Sequence, residues 1–436
     1  MAWSGRFVLL IALGLLPIVV LDEPVWLVLW LLFVAIVGVV DLAIAGSPRL
    51  VSVERDLPPR VRLGETAPSR LLLTNSGGRR IRGLVRDAWQ PSTGASPTRA
   101  AVDIPAGERR AIVTTLTPFR RGERRAAQVT VRSFGPMRLL ARQASIRAPG
   151  AIRVLPPFVA RKHLPSRLAR LRELDGRTSL MIRGQGTEFD SLRDYVRGDD
   201  VRSIDWRATA RRTDPAGGAH LVVRTWRPER DRRVVIVIDS GRTSAARIAD
   251  EPRLDTAFES TLLLAALAAA AGDHVDLVVY DRRVRGRVQG SGGAELLSRL
   301  VDVMAPIEPE LVETDWAGVP ALVRSVTAHR ALVVLMTSVD APGASRELLG
   351  MLPQLTGRHT VVVSSVADPS VLDASRRREN RDEVYLAAAA ERAMLDLTRV
   401  GAAIRRLGAE MVTAAPADLP PALADRYLAL KAAGRL

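Results

Sequence analysis

Two apolar runs open the chain, and a short polar turn separates them. Residues 7–21 are almost wholly apolar, and a second apolar run covers residues 25–40. Each run is slightly shorter than the roughly 20 residues that a membrane-spanning helix needs, but neighbouring residues can extend both. The pattern predicts a transmembrane helical hairpin within residues 1–46, with helices near 7–21 and 25–45.

Charged residues flank this hairpin unevenly. Arg6 precedes the first run, several arginines follow the second, and the turn holds two acids, Asp22 and Glu23. Because arginines near membrane helices favour the cytoplasmic side, we predict a multi-pass protein of the cell membrane with both termini and the soluble domains in the cytoplasm. The alternatives are a buried soluble hairpin and a cleaved signal peptide, although no small-residue cleavage site follows Leu21.

Residues 47–155 change to short apolar segments separated by turn residues. This spacing is typical of a small β-sandwich. The strand candidates are 51–53, 61–63, 71–74, 81–85, 111–113, 127–131 and 152–154. Residues 156–232 follow as a linker and a charged segment, in which Leu164, Leu168, Leu171 and Leu174 recur near helical spacing. That linker helix either simply connects the domains or lies on a neighbouring domain or the membrane surface.

From residue 233 to 436, apolar strands alternate with helical patterns. Strand candidates lie at 234–239, 275–280, 332–337, 361–365 and 410–413, and residues 282–289 read as an antiparallel edge hairpin. This alternation predicts an α/β domain with a doubly wound, mostly parallel sheet. Ligands of such sheets bind beyond the carboxyl ends of the strands.

The segment around residues 184–240 combines paired charges with a few large apolar side chains. Such a segment cannot form a core alone, so it is predicted to act either as an inter-domain clasp or as a partner-binding face. Trp206 and Tyr195 have the chemistry of binding hot spots, and Trp206 is expected to be the buried anchor of a clasp. The residues that carry this prediction are Glu188, Phe189, Arg193, Tyr195, Asp199, Asp200, Arg202, Asp205, Trp206 and Arg211.

The order G-x-E-F-x-x-L-R-x-Y-x-x-G-D-D-x-R-x-I-D-W-x-A-T-A-R, followed by V-I-V-I-D, resembles the bacterial family catalogued as domain of unknown function 58. The resemblance covers essentially the whole chain. It implies a von Willebrand factor A-like fold for residues 233–436, two N-terminal membrane helices, and a partnership with a cytosolic MoxR-type AAA+ ATPase in envelope-related processes.

Domains of the von Willebrand A type hold a divalent ion at the sheet edge, through D-x-S-x-S, a Thr and a later Asp. In this chain Asp239 matches, Gly241 replaces the first Ser, Thr243 can replace the second, and Thr314 fits the second loop. The later Asp position falls nearer Ser338, with Asp340 two residues on. The resemblance therefore implies a degenerate Mg²⁺ site formed by Asp239, Thr243, Thr314 and Asp340. The alternative is that Asp239 only caps the following turn.

Composition excludes several classes of function. The chain has no cysteine, so disulfides and thiolate metal sites are absent. Its five histidines are scattered, and the sequence contains neither a GxxxxGK[ST] phosphate loop nor a GxSxG nucleophile motif. The net charge of +16 comes from arginines interspersed with acids, which favours a solvated surface over nucleic-acid binding.

These observations favour a non-enzymatic, membrane-anchored interaction module that needs no cofactor. The alternative is a metal-dependent hydrolase acting at the carboxyl edge of the α/β sheet. The missing nucleophile and the degenerate ligand set count against that alternative.

Overall fold

The structure, a computed structural model, describes residues 2–15, 25–181, 188–196, 199–211, 221–227, 232–249, 251–291, 295–339, 343 and 345–436. The chain divides into two compact units, Met1–Pro157 and Phe158–Leu436.

The first unit opens with strand β1 (Ala2–Trp3) and helices α1 (Gly5–Leu13) and α2 (Val25–Ile44). Over the described residues, one stretch is long and apolar enough to cross a membrane. It runs from Val25 to Leu50, has a mean hydropathy of 2.8, and is mostly exposed. Asp22 and Glu23 lie outside the described residues, so the second span and the hairpin turn stay predictions.

Asp41, one turn before the end of α2, is the one charged residue of this apolar helix, and it is buried. Its carboxylate accepts hydrogen bonds from the backbone N–H groups of Met137 (2.8 Å), Leu139 (2.9 Å) and Leu140 (3.3 Å). The N–H of Ser4, just before α1, donates to the carbonyl of Leu139 at 3.1 Å. The start of α1 and the end of α2 therefore meet at the same turn of the first unit.

The rest of the first unit is all β. Its strands are β2 (Val51–Asp56), β3 (Arg60–Arg62), β4 (Ala67–Asn75), β5 (Ile81–Trp89), β6 (Ala100–Ile104), β7 (Arg109–Leu116), β8 (Gly122–Phe134) and β9 (Leu140–Leu155). One sheet has the order β1-β9-β8-β5-β6, with β3 paired to β9, and the other has the order β2-β4-β7. The predicted strands are present, and β6 and the first half of β9 are additional, because their small and polar residues carry little hydrophobic signal.

Side chains of both sheets share one core. Leu71 and Leu73 of β4 pack in a cluster with Val85 of β5 and with Val129 and Val131 of β8. Alternate residues of β8 therefore point inward, and the residues between them point to the outer face of the larger sheet.

The second unit begins with helix α3 (Leu164–Met181), strand β10 (Glu188–Asp194), helix α4 (Trp206–Arg211) and strand β11 (Val222–Arg227). It continues with β12 (Arg233–Asp239), β13 (Arg247–Ile248), β14 (Glu251–Pro252), α5 (Arg253–Ala270), β15 (His274–Tyr280), β16 (Val284–Ser291), α6 (Glu295–Met304), α7 (Val319–Val326), β17 (Leu332–Met336), α8 (Arg346–Thr356), β18 (Thr360–Val366), α9 (Pro369–Arg376), α10 (Arg381–Arg406), β19 (Glu410–Ala414) and α11 (Leu419–Ala432).

Six of these strands form a mixed sheet in the order β16-β15-β12-β17-β18-β19. β16 pairs antiparallel to β15 at one edge, and the other neighbours are parallel. The chain thus starts in the middle of the sheet and winds outward in both directions, so the strand order reverses between β12 and β17. A crevice beyond the carboxyl ends of these two strands is where doubly wound sheets place their ligands.

Helices cover the sheet because its central strands are apolar on both faces. Val235 and Val237 of β12 pack with Val323 of α7, Leu352 of α8 and Ile404 of α10. The alternate residues Ile236 and Ile238 are fully buried on the opposite face.

The predicted linker helix is α3, which packs against α5 and α11. Its Leu171 is buried, and its Arg167 pairs with Asp425 of α11 at 2.7 Å. The position of α3 beside α5 and α11 is that of a helix lying on the α/β domain.

Candidate site at the carboxyl edge of the sheet

Asp239 ends β12 and is almost fully buried, with 3% of its surface exposed. One carboxylate oxygen accepts hydrogen bonds from the Gly241 N–H at 2.8 Å and from the Thr314 hydroxyl. The other accepts from the hydroxyls of Thr337 at 2.7 Å and Thr243 at 3.3 Å. Four donors from three loops therefore surround one carboxylate.

The structure brings three of the four predicted ion ligands together: Asp239, Thr243 and Thr314. Asp340 lies outside the described residues. Thr337 was missed, although it follows the apolar run of β17 just as the Asp239 loop follows β12. That shared position at the ends of adjacent parallel strands is the signal that could have identified it.

Gly241 is required by the packing of this cluster. A Cβ atom at this position would lie 2.4 Å from Thr314 Oγ1 and 2.8 Å from the carbonyl oxygen of Val312. Either approach is far shorter than a van der Waals contact. Because glycine has no Cβ atom, the Thr314 hydroxyl can reach the Asp239 carboxylate, which a serine at position 241 would hinder.

The described residues of this cluster offer few ligands for a resident divalent cation. Mg²⁺ and Ca²⁺ are held mainly by carboxylate and carbonyl oxygens, and this cluster offers one carboxylate whose two oxygens each already accept two hydrogen bonds. Within the described ranges, no group of three or more His, Cys, Asp or Glu side chains could hold a metal ion. The capping alternative describes the geometry better, since Asp239 binds the turn that leads into the short helix Arg242–Ala245.

Arg242 does not act as a resident cation for this site. Its guanidinium pairs with Glu313, its Nε lying 2.8 Å from Oε1, and both side chains are more than half exposed. Exposed ion pairs of this kind contribute about 0–1 kcal/mol.

A second buried carboxylate, Asp281, follows the neighbouring strand β15. It accepts hydrogen bonds from Arg285 Nε at 2.5 Å, from the Arg283 N–H at 3.0 Å and from the Ser240 hydroxyl at 3.3 Å. Burial alone would raise the pKa of Asp281, but the hydrogen bonds from Arg285 and the backbone outweigh it and leave that pKa lowered. The carboxylate is thus held as an ion by its donors, which suits a structural role better than proton transfer.

The charged segment folds as a small antiparallel pair, β10 with β11. Glu188 and Phe189 lie in β10 opposite Arg227 and Trp226. Near the end of β10, Arg193 makes a two-fold ion pair with Asp199, with N–O distances of 2.6 and 2.8 Å. The hydrogen bond from Arg193 to Asp199 raises the pKa of the guanidinium.

Asp205 organises the second half of this segment. It accepts from the N–H groups of Arg207 (2.9 Å) and Ala208 (3.0 Å), which caps α4, and it pairs with Arg224 at 2.7 Å. The pKa of Asp205 is lowered, first by the Ala208 N–H and then by Arg224. Arg224 was missed in the sequence because it lies far along the chain, on β11.

The other predicted residues occupy turns and the short helix. Asp200 accepts from the N–H of Arg202 at 3.0 Å and caps a single helical turn. The Tyr195 N–H donates to the carbonyl of Leu221 at 2.8 Å, and Arg211 is the exposed last residue of α4.

The expectation that Trp206 is buried as an anchor is wrong. Trp206 is 66% exposed, whereas Ile204, two residues earlier, is 8% exposed. The reason is local: Ile204 bridges to Val223 of β11 and turns its side chain inward, while Asp205 caps a helix that starts at Trp206 and directs the indole outward. Other large apolar side chains of the segment are also exposed: Leu192, Val196 and Val201.

Comparison with known proteins gives a match to one family model and to a few relatives of low identity. The model of the family described as "Protein of unknown function DUF58" matches residues 191–405. The uncharacterized protein Rv1480 of Mycobacterium tuberculosis and its counterpart Mb1516 of Mycobacterium bovis are each 25% identical over 191 residues. That match covers 43% of this chain and 57% of each relative, so the chain spans little more than half the length of the curated relatives it matches.

Among solved structures, the CARDB domain of the PF1109 protein from Pyrococcus furiosus is similar to part of the chain. It is 16% identical with a TM-score of 0.19, and the match covers 26% of this chain and 91% of that one. A β-glucosidase from Listeria innocua is 17% identical with a TM-score of 0.15, covering 22% of this chain and 16% of the enzyme. Scores this low carry no inference about function.

Proposed function

We propose that this chain, whose residues 191–405 match the model of the DUF58 family, is a membrane-anchored, non-enzymatic protein-interaction module. Its apolar helix α2 would anchor it, and its α/β domain, which we propose to be of the von Willebrand factor A type, would present the binding face. The strand order, with the first strand central and an antiparallel edge strand, supports that assignment.

The observation that carries the proposal is the exposed Trp206. An indole that is 66% exposed, next to Asp205 in the sequence and in the same charged segment as the ion pairs Arg193–Asp199 and Asp205–Arg224, has the composition of a binding hot spot with a charged rim. A clasp would bury this ring, so the exposure favours the docking alternative. At the described part of the sheet edge, by contrast, both oxygens of the Asp239 carboxylate already accept two hydrogen bonds each.

The partner we propose is a cytosolic MoxR-type AAA+ ATPase, as the family resemblance implies. Charged residues around Trp206 would select and orient that partner, because rim charges act mainly on association rate and specificity.

Trp206→Ala tests the docking face. Truncation of a hot-spot aromatic costs about 2–4 kcal/mol of binding, so recovery of a MoxR-type ATPase from native membranes, quantified by mass spectrometry, should fall roughly tenfold or more. Because the ring is exposed, thermal stability should change by no more than about 0.5 kcal/mol.

Phe119→Ala is the matched control, because Phe119 is 64% exposed and lies in the other unit of the chain. It should leave ATPase recovery unchanged. Equal recovery by the wild type and both variants would overturn the docking proposal, and a strong loss of stability in Trp206→Ala would restore the clasp.

Single cysteines test the anchor, since the natural chain has none. A cysteine near Asp22 should react with a membrane-impermeant thiol reagent in intact cells, and cysteines at Ser47 or near the C-terminus should not. The reverse labelling pattern would contradict the proposed orientation.

A further inference from the structure

The outer face of the larger sandwich sheet carries a polar groove with a volume of about 260 Å³. Strands β5, β8 and β9 and the residue just before β6 line it, and three of the lining side chains are arginines. The lining residues are Leu84, Arg86, Arg99, Gln128, Thr130, Arg132, Gln143 and Ser145.

Strand register gathers these residues into rows. Arg86 lies opposite Thr130, which lies opposite Ser145, so one row crosses β5, β8 and β9. Leu84, Arg132 and Gln143 form the next row in the same way. These side chains share the outward direction because they alternate with the core residues of the same strands.

In the part of the chain that the structure describes, no acid pairs with the arginines of this groove. No Asp or Glu lines it, and among the described residues none of the ion pairs includes Arg86, Arg99 or Arg132. Arg132 donates instead to the side-chain oxygen of Gln143 at 2.6 Å, which fixes its guanidinium over the sheet.

Two of the arginines lie next to the same register pair. Val85 of β5 pairs with Ala100 of β6, and Arg86 and Arg99 are the residues adjacent to that pair, Arg99 lying just before β6. Both line the groove, and like charges on neighbouring positions repel one another. An anion between them would remove this repulsion.

We propose that this groove binds a phosphate group carried by a small polar molecule or by a lipid headgroup. Guanidinium forks match the oxygens of a phosphate in paired hydrogen bonds, and the neighbouring Gln, Thr and Ser side chains add neutral contacts. The volume is slightly below that of pockets for drug-sized ligands, which suits one phosphorylated group.

Calorimetry with inorganic pyrophosphate tests this site on the full chain in detergent. The wild type should bind, and the double variant Arg86→Gln/Arg99→Gln should lose roughly tenfold or more in affinity, because it removes two cationic hydrogen-bond donors from the site. Arg70→Gln is the matched control, because Arg70 is exposed on β4 of the other sheet. It should bind as the wild type does.

Failure of the wild type to bind, or an equal loss in Arg70→Gln, would overturn the proposal. Nanodiscs then distinguish the two sources of phosphate. If the groove binds a soluble phosphate, the affinity for pyrophosphate should be equal in phosphatidylcholine and phosphatidylglycerol discs. If it binds a lipid headgroup, the affinity should be clearly lower in phosphatidylglycerol discs, because the headgroup competes with pyrophosphate.

Discussion

The cluster around Asp239 and the sandwich groove lined by Arg86, Arg99 and Arg132 place charge on a β-sheet in opposite ways. Asp239 is buried, carries one negative charge, and accepts four hydrogen bonds from neutral donors. The groove is exposed, carries three positive charges, and has no acid in its lining. The hydrogen bonds of the first region are made within the fold, whereas the arginines of the second are open to solvent.

The contrast shows that position at the carboxyl edge of a parallel sheet does not by itself make a binding site. A buried carboxylate must be satisfied in the folded state, and the threonine hydroxyls around Asp239 do this. Exposed guanidiniums remain hydrated and carry no such requirement, so they stay available to a ligand. The following predictions test this contrast, from the largest expected effect to the smallest.

Asp239→Ala should be the most damaging change. Three buried or half-buried hydroxyls and one amide would lose their acceptor, and each unsatisfied buried donor costs about 1–3 kcal/mol. We expect a loss of about 3–5 kcal/mol and a fall of roughly 10 °C in the thermal midpoint of the second unit. Asp239→Asn should lose less stability because it keeps an acceptor oxygen. Equal stability of the wild type and Asp239→Ala would contradict the conclusion that the buried donors need this carboxylate.

Gly241→Ser restores the serine of the ion-site pattern, but the structure has no room for it. A Cβ atom 2.4 Å from Thr314 Oγ1 should cost about 1–3 kcal/mol by overpacking. We also expect Mg²⁺ affinity to be poor or absent in the wild type and in this variant, as calorimetry can measure. Micromolar Mg²⁺ binding that Asp239→Ala abolishes would mean that the hydroxyls serve as ligands.

Acid should weaken the second unit through Asp281. Because its pKa is lowered in the folded state, the unfolded chain binds a proton more readily, and the resulting stability is present above the ordinary aspartate value of about 3.9. That stability should be lost as the pH falls through the lowered folded-state pKa. Denaturant unfolding at a series of acidic pH values measures it, and Asp281→Asn should flatten the dependence. A steeper curve in Asp281→Asn would contradict the sign.

Arg86→Gln/Arg99→Gln should have the smallest effect on stability. Without an anion, removing two neighbouring cations should leave the free energy of unfolding unchanged or raise it slightly, by about 0–1 kcal/mol. With saturating pyrophosphate the order should reverse, because only the wild type gains stability from binding. A large destabilisation of the variant without ligand would mean that the arginines support the fold.

Much of the architecture could be predicted from hydrophobic pattern alone. The strands of the α/β sheet and most strands of the sandwich appear as apolar runs between turn residues, since buried strands consist mainly of apolar residues. Strand β6 was missed because its sequence, A-A-V-D-I, contains too few large apolar residues. The candidate site was predicted in part, because Asp239, Thr243 and Thr314 follow apolar strands or precede helices in the expected order.

The sequence by itself determined which residues are buried in strands and helices, and in what order, because periodicity follows from burial. Tertiary structure alone decided where the polar groups find partners. Thr337 reaches Asp239 across two parallel strands, Arg224 reaches Asp205 from β11, and Asp41 reaches a turn nearly a hundred residues away. It also turned Trp206 outward, because the direction of a side chain depends on which neighbour pairs with the backbone beside it.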